Sequence, residues 1–302
     1  MEISKEISPV TGEHGTEFIT EVRVDKVIEL YDEIGTDVRR FFKGLDRIEI
    51  RKCKRTGYRY YFPFDIFGDG PFYEDLQKNR DTYYLTDKWE HQQAIKYINP
   101  GENVLEVGCG TGHFMNIIRD KGAACTGLEM NKKAIADARQ QGHTIYEEFL
   151  HEHSLGHEGK YDVVCSFQVL EHIPDIKDYF ESAKRCLKPG GKIMIAVPYN
   201  NPYLHRHDLY HTLNLPPHHA GIWDKEAFIN VGRFFHLTTV FLKTEPLIEY
   251  KVWYKVQANH IKEKYPLLGK AMLLVPRQVY KPFLWAAKPW IEGRNVLAIF
   301  SV

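Results

Sequence analysis

VLEVGCGTGHF, residues 104–114, ends a short apolar run and then places glycine at three alternate positions, Gly108, Gly110 and Gly112. Glycine at such positions lets the backbone turn tightly and approach a ligand with no Cβ in between. The run reads as a strand and the residues after it as a helix, which makes it the opening unit of an α/β sheet. In such sheets ligands sit at the carboxyl ends of the strands. The spacing is GxGxG, whereas the dinucleotide fingerprint is GxGxxG, and the difference argues against a nicotinamide dehydrogenase.

The same alternation continues outward from this stretch. NVLEVG, ACTGLEM, HTIYEEF, YDVVCSFQV and GKIMIAVP read as short buried strands, with GHFMNIIRDKG, NKKAIADARQQG and IKDYFESAKRCL as the helices between them. β-branched runs spaced by amphipathic helices predict a parallel sheet with helices on both faces. Beyond Pro198 comes a long loop rich in His, Pro and Asn, then a helix over 224–235 with Asp224 as its N-cap, and strands over 236–245 and 295–302. Residues 251–290 carry eight Lys or Arg and one Glu among Trp, Tyr, Leu and Pro, and are expected to form a helical insertion.

Lys plus Arg and Asp plus Glu both number 40, so no overall charge draws the chain to nucleic acid. The five cysteines, Cys53, Cys109, Cys125, Cys165 and Cys186, are scattered, and three lie inside apolar runs, a usage that suits a reducing compartment. The polar N-terminus has no apolar leader core, and no run approaches the ~18 apolar residues of a spanning helix. The expectation is a cytoplasmic protein.

Glu129 ends the second strand of the unit, where a carboxylate can accept the two hydroxyls of a ribose. With residues 104–114, Glu129, YDVVCSFQVLEHI and LKPGGKIMIAVP in this order, residues 98–245 resemble the class I S-adenosylmethionine-dependent methyltransferases. The resemblance implies a Rossmann-like α/β fold with a seven-stranded, mostly parallel sheet, NVLAIFSV being its antiparallel strand, and S-adenosylmethionine as cofactor. It implies that Glu106, Gly108 and Gly110 line the methionine moiety, with Glu106 facing its ammonium. Gly112 belongs to the same loop or serves helix packing. Glu129 would hold the ribose and Met130 would pack on the adenine, unless Met130 is core. Glu147 or Glu148 would lie near the adenine amino group, one of them only, since neighbouring strand residues face opposite sides. Phe167 and Gln168 would close the methionine side.

Methyl transfer from a sulfonium is an in-line displacement, so the protein must align the reactants and, for a hydroxyl acceptor, remove a proton. Imidazole suits that task near neutrality. His218 and His219, in PPHH after the fifth strand, are the favoured bases, and His172 in LEHI is a base or a structural wall. Alternatively, one of the PPHH pair caps the following helix and the other packs on Trp223. HRHDLYH offers His205, His207, Asp208 and His211 at metal-ligand spacing, but its Asn, Pro and Tyr neighbours weaken a regular helix, and no metal is assigned. Tyr83, Tyr84, Trp89, Glu90, His207, His211 and Trp223 are second-rank candidates around the acceptor.

Upstream, SPVTG at 8–12 and CKRTG at 53–57 resemble the two zinc knuckles of bacterial methyltransferases associated with polysaccharide or natural-product assembly. Ser8, Thr11 and Thr56 stand where three of the four thiolates belong, leaving Cys53, so no tetrahedral zinc site is expected. The expected organisation is a degenerate zinc-ribbon-like lobe over 1–75, a helical lid over 76–97, the cofactor-binding core over 98–250, the insertion over 251–290 and a final core strand over 291–302. The leading expectation is O-methylation of a sugar hydroxyl, free, nucleotide-linked or in a surface glycan. The alternatives are a lipid-linked, quinone-like or other small-metabolite acceptor, with 251–290 touching a membrane or a second subunit, and a non-catalytic cofactor-binding module. Nucleic-acid methylation is disfavoured by charge and by the lack of an Asn/Asp-Pro-Pro-Tyr-type motif.

Overall fold

The computed structural model describes residues 4–78, 88–200 and 209–302. Its first part pairs strands β1 (Thr16–Arg23), β2 (Arg47–Cys53) and β3 (Arg59–Phe62) in antiparallel order, with helix α1 (Val24–Asp32) after β1 and α2 (Gly70–Lys78) after β3. Turns at 8–12 and 53–57 flank this sheet. Ser8 Oγ accepts from the N–H groups of Val10 and Thr11 at 3.2 and 3.3 Å, and Thr56 Oγ1 accepts from Tyr58 at 3.3 Å. Ser8, Thr11, Cys53 and Thr56 are all buried.

Helix α3 (Trp89–Ala94) leads into the main sheet. There β4 (Asn103–Val107), α4 (His113–Asp120), β5 (Ala124–Leu128), α5 (Lys132–Gln140), β6 (Thr144–Tyr146), α6 (Leu150–Ser154), β7 (Tyr161–Phe167), α7 (Ile176–Cys186) and β8 (Leu187–Pro198) follow in turn. After β9 (Gly221–Ile222) come α8 (Lys225–Phe234), β10 (Thr238–Pro246), three helices α9 (Tyr250–Lys264), α10 (Pro266–Leu273) and α11 (Arg277–Ala287), and β11 (Glu292–Ser301). The main sheet has seven strands in the order β10-β11-β8-β7-β4-β5-β6. Strands β4 to β8 run parallel, and β11 lies antiparallel to both β8 and β10. The expected α/β fold is therefore present.

Both faces of this sheet are covered, which is why its strands read as nearly continuous apolar runs. Leu105, Val164, Ile195 and Ala298 pack with α7, α8, Tyr58 and Tyr60 on one face. Val104, Cys165, Met194 and Leu297 pack with α3 and α4 on the other. Residues next to each other in a strand fall into different clusters, as the pleat requires. Asn131, Asp175 and Asp224 each accept a backbone N–H at the start of α5, α7 and α8, at 2.8 to 3.0 Å.

One finding departs from the expected division of the chain. The segment after β8, assigned to the cofactor-binding core, joins the N-terminal sheet: β9 pairs with β3 through Arg59↔Ile222 and Tyr60↔Gly221. Leu215 and Ile222 lie in one apolar cluster with Val27, Tyr31 and Phe72. The N-terminal part thus holds the PPHH loop in place. Residues 251–290 are helical, as expected. Gly269 allows α10 to approach α9 closely, since a Cβ there would stand 2.3 Å from Lys262 Cα.

Candidate functional site

The order of the sheet reverses between β4 and β7, and a cavity of about 1540 Å³ opens at the carboxyl ends of these strands. Gly108, Gly110 and Gly112 all take positive φ, at 69°, 53° and 81°. A Cβ on Gly108 would meet Val169 Cγ2 at 2.5 Å, so this position needs glycine for space as well as for conformation. At the tip of β5, the Glu129 carboxylate accepts from the N–H groups of Gly110, Met130 and Asn131 at 2.8, 2.9 and 2.8 Å. An ionised carboxylate has about four lone-pair sites. Glu129 is therefore oriented by backbone and keeps capacity for hydroxyl donors.

Glu106 lies on β4 and is buried, and its Oε2 has no hydrogen-bond partner among the described residues. Burial pushes its carboxyl up to about 8. A buried acceptor without a partner at the mouth of a glycine loop fits a cationic ligand group such as the ammonium of S-adenosylmethionine. Gly108, Gly110, Met130, Phe167 and Gln168 line the same cavity. Phe167 packs against Phe114 and His91 with ring centroids 4.7 and 4.8 Å apart. Gln168 has φ 61°, and its side-chain amide donates to Glu90 Oε1 at 3.1 Å. Met130 is 44% exposed, which removes the core alternative for it.

Three expectations need correction. Gly112 is not a lining residue; it caps α4 and gives room to the His143 ring, whose Cδ2 would stand 2.8 Å from a Cβ there. Of the adjacent glutamates, Glu148 lines the cavity and pairs with His153 Nδ1 at 3.0 Å, while Glu147 is exposed and points away. Trp223 is fully buried and absent from the lining, packed between Tyr58 and Phe228 with centroids at 4.4 and 4.5 Å. The pairing of β9 with β3 turns the next side chain into the seam between the two sheets, away from any acceptor.

His172, His218 and His219 all line the cavity and form one cluster, with ring centroids 4.6 to 4.9 Å apart. His172 Nδ1 donates to the His218 carbonyl at 2.5 Å, and His218 Nδ1 donates to the Leu213 carbonyl at 2.9 Å. A carbonyl only accepts, so both rings carry their proton on Nδ1 and present the Nε2 lone pair. Burial lowers the His172 pKa to about 4. Trp89, Glu90 and His211 also line the cavity, whereas Tyr83, Tyr84, His205, His207 and Asp208 lie outside the described residues.

Sequence reasoning missed Glu171 and His91. Glu171 is buried against the cavity, its carboxyl raised to about 8 by burial, with Oε2 unpartnered among the described residues. Its only signal was its place beside His172. His91 is likewise buried, and its pKa falls to about 3 for the same reason. Phe64, Phe67 and Tyr73 bring the N-terminal part of the chain to the cavity wall.

A family model described as a methyltransferase domain matches residues 76–231, just over half of the chain. A ubiquinone biosynthesis O-methyltransferase of Sodalis glossinidius (strain morsitans) is 36% identical over 108 residues, which are 34% of this chain and 43% of that protein. One of Pseudomonas aeruginosa (strain LESB58) is 28% identical over 161 residues, 46% of this chain and 68% of that protein. The match thus spans less than half the length of the first of these relatives. In fold, the chain is similar to the crystal structure of a SAM dependent methyltransferase from Archaeoglobus fulgidus, with a TM-score of 0.50 at 13% identity over 70% of this chain and 90% of that one. With the glycine loop, Glu106 and Glu129 arranged at the switch point of this sheet, the chain belongs to the class I S-adenosylmethionine-dependent methyltransferase family, and S-adenosylmethionine is its cofactor.

Proposed function

We propose that the protein methylates a hydroxyl oxygen of a small aromatic acceptor of the quinol type. The observation that carries this reading is a wall of Phe64, Phe67 and Tyr73 in the same cavity as an imidazole cluster and the glycine loop. Flat aromatic rings pack well against such a wall. The relatives named for O-methylation in ubiquinone biosynthesis support it, and they weigh against the sugar acceptor first expected from the N-terminal resemblance. Glycan assembly accordingly drops out of the reading.

When bound, S-adenosylmethionine supplies a methyl group activated by its sulfonium sulfur. Glu106 would hold the ammonium, Glu129 the ribose, and Gly108 and Gly110 would let the backbone close on the ligand. His218 and His219 stand over the cavity to take up the acceptor's hydroxyl proton, and positioning contributes much of the remaining rate. A conjugate acid as strong as that of His172 retains a proton poorly, which leaves His172 a secondary base.

In the N-terminal turns, the Ser8 and Thr56 hydroxyls accept backbone N–H groups. The lobe then serves as a platform for the PPHH loop. Helices α9 to α11 start beside Ile248 and Glu249, which line the cavity, and residues 250–290 expose Leu267, Leu274, Phe283, Trp285 and Trp290 among lysines. We read this arm as a peripheral membrane contact that brings apolar acceptors to the cavity.

The test is turnover with S-adenosylmethionine against two panels, catechols and hydroxyquinols in one, sugars and nucleotide sugars in the other. Methylation of the first panel, lost in a His218→Ala, His219→Ala double variant that still binds the cofactor, is the expected result. Methylation confined to sugars would overturn the aromatic reading.

A further inference from the structure

We propose that His172, His218 and His219 form a binding site for a divalent transition-metal ion of the zinc type, completed by Glu171. The three rings each place one nitrogen within 4.8 Å of the others, at the wall of the cavity. Zinc holds imidazole nitrogens at about 2.0–2.1 Å, so tetrahedral ligands lie about 3.4 Å apart, a small contraction from this arrangement.

Two further features separate this cluster from a chance meeting of histidines. The first is the tautomer. His172 and His218 both spend their Nδ1–H on a backbone carbonyl, at 2.5 and 2.9 Å. Metal-bound histidines are oriented in this manner, with the other ring nitrogen donating to a carbonyl or carboxylate. Each ring thereby carries its proton on Nδ1 and leaves Nε2 as the basic nitrogen. The second is the buried carboxyl of Glu171, whose Oε1 stands 3.9 Å from His172 Nε2 and whose Oε2 has no partner among the described residues. A buried carboxyl without a partner is costly, and a cation beside it removes that cost.

The donor set selects the metal. Three imidazoles and one carboxylate suit zinc, cobalt or nickel, whereas magnesium and calcium require mainly oxygen ligands. Because the cluster faces the cavity, a ligand from that side can displace the Glu171 carboxylate and take the fourth coordination position, which is then the open one.

The catalytic part of the proposal rests on the O-methylation reading. A hydroxyl bound at the open position ionises more readily, its proton passing to solvent in place of a histidine. The oxygen's electron pair then forms the bond to the methyl carbon as the carbon–sulfur bond breaks and its pair returns to sulfur.

The experiment uses untagged protein stripped with a chelator and titrated with Co²⁺, read by its visible ligand-field bands and by displacement with Zn²⁺. One equivalent should bind, and His172→Gln and His219→Gln should each weaken binding at least ~10-fold. Retained S-adenosylmethionine binding identifies folded variants. X-ray absorption of the wild-type zinc complex gives a second readout that needs no variant, and it should show scattering from at least two imidazoles. Absence of stoichiometric binding, binding unchanged in folded variants, or a shell without imidazole would overturn the site. Binding is read without an acceptor, so a protein that takes up the metal but methylates no aromatic hydroxyl would lose the function reading alone.

Discussion

Glu106 is a carboxyl group placed in surroundings that suit its neutral form, with a pKa raised to about 8 by burial. Because the folded value lies above the ordinary 4.5, its contribution to stability is complete below about 4.5 and lost as pH rises through about 8. Glu171, also raised to about 8, adds to the same trend. A bound ammonium reverses the balance for Glu106 by favouring its anion. The ligand-free protein should therefore lose thermal stability from pH 5 to 8, and S-adenosylmethionine should bind more tightly over that range with release of a proton, measurable by calorimetry in buffers of different ionisation enthalpy. Glu106→Gln should raise the melting temperature of the ligand-free protein at pH 8 and weaken the cofactor about 10- to 100-fold, the size expected for a charged hydrogen bond of ~1.5–3 kcal/mol. Unchanged affinity would place the ammonium elsewhere. At this scale the placement of Glu106, Gly108 and Glu129 beside one cavity was legible because each sits at a fixed offset from a strand end. Glu171 was not, because no spacing reveals that a carboxyl will be buried without a partner.

Helix α8 starts at the junction of the two sheets, and its N-cap has two duties. Asp224 accepts the Ala227 N–H at 2.8 Å and pairs with Arg59 of β3 at 3.3 Å. Asp224→Ala should cost about 1–2 kcal/mol, read as a fall in melting temperature. Asp224→Asn keeps the cap and should cost clearly less; equal losses would assign the effect to the Arg59 pair. The capping residue and the helix were evident from the order of residue types, as were the parallel strands from their apolar runs. Strand β9 was not, since Gly221 and Ile222 form a strand only through pairing with Tyr60 and Arg59. That pairing also explains the misplacement of Trp223: a residue read as lining the acceptor site fills the seam between sheets.

Across the whole molecule the outlying feature is the arm of α9 to α11. Its helices pack on one another, with Tyr254 stacked on Tyr280 at 3.8 Å, yet Leu267 and Trp290 remain 84% and 83% exposed. None of the described helices is long and apolar enough to cross a membrane. Apolar side chains on a basic arm should instead bind the surface of anionic vesicles, weaken with salt, and fail on neutral vesicles. Trp285→Glu combined with Trp290→Glu should abolish sedimentation with vesicles while leaving the fold intact. Concentration-dependent self-association without vesicle binding would assign the arm to a second copy of the chain. The sequence by itself determined the α/β class, the glycine loop after the first core strand and the carboxylate at the tip of the second, because these depend on local periodicity and on short offsets from strand ends. Only the tertiary structure decided that the PPHH loop belongs to the N-terminal sheet and that His172 meets His218 and His219, residues 46 and 47 positions further on. Burial and pairing between distant segments come from packing, which leaves no periodic trace in the chain.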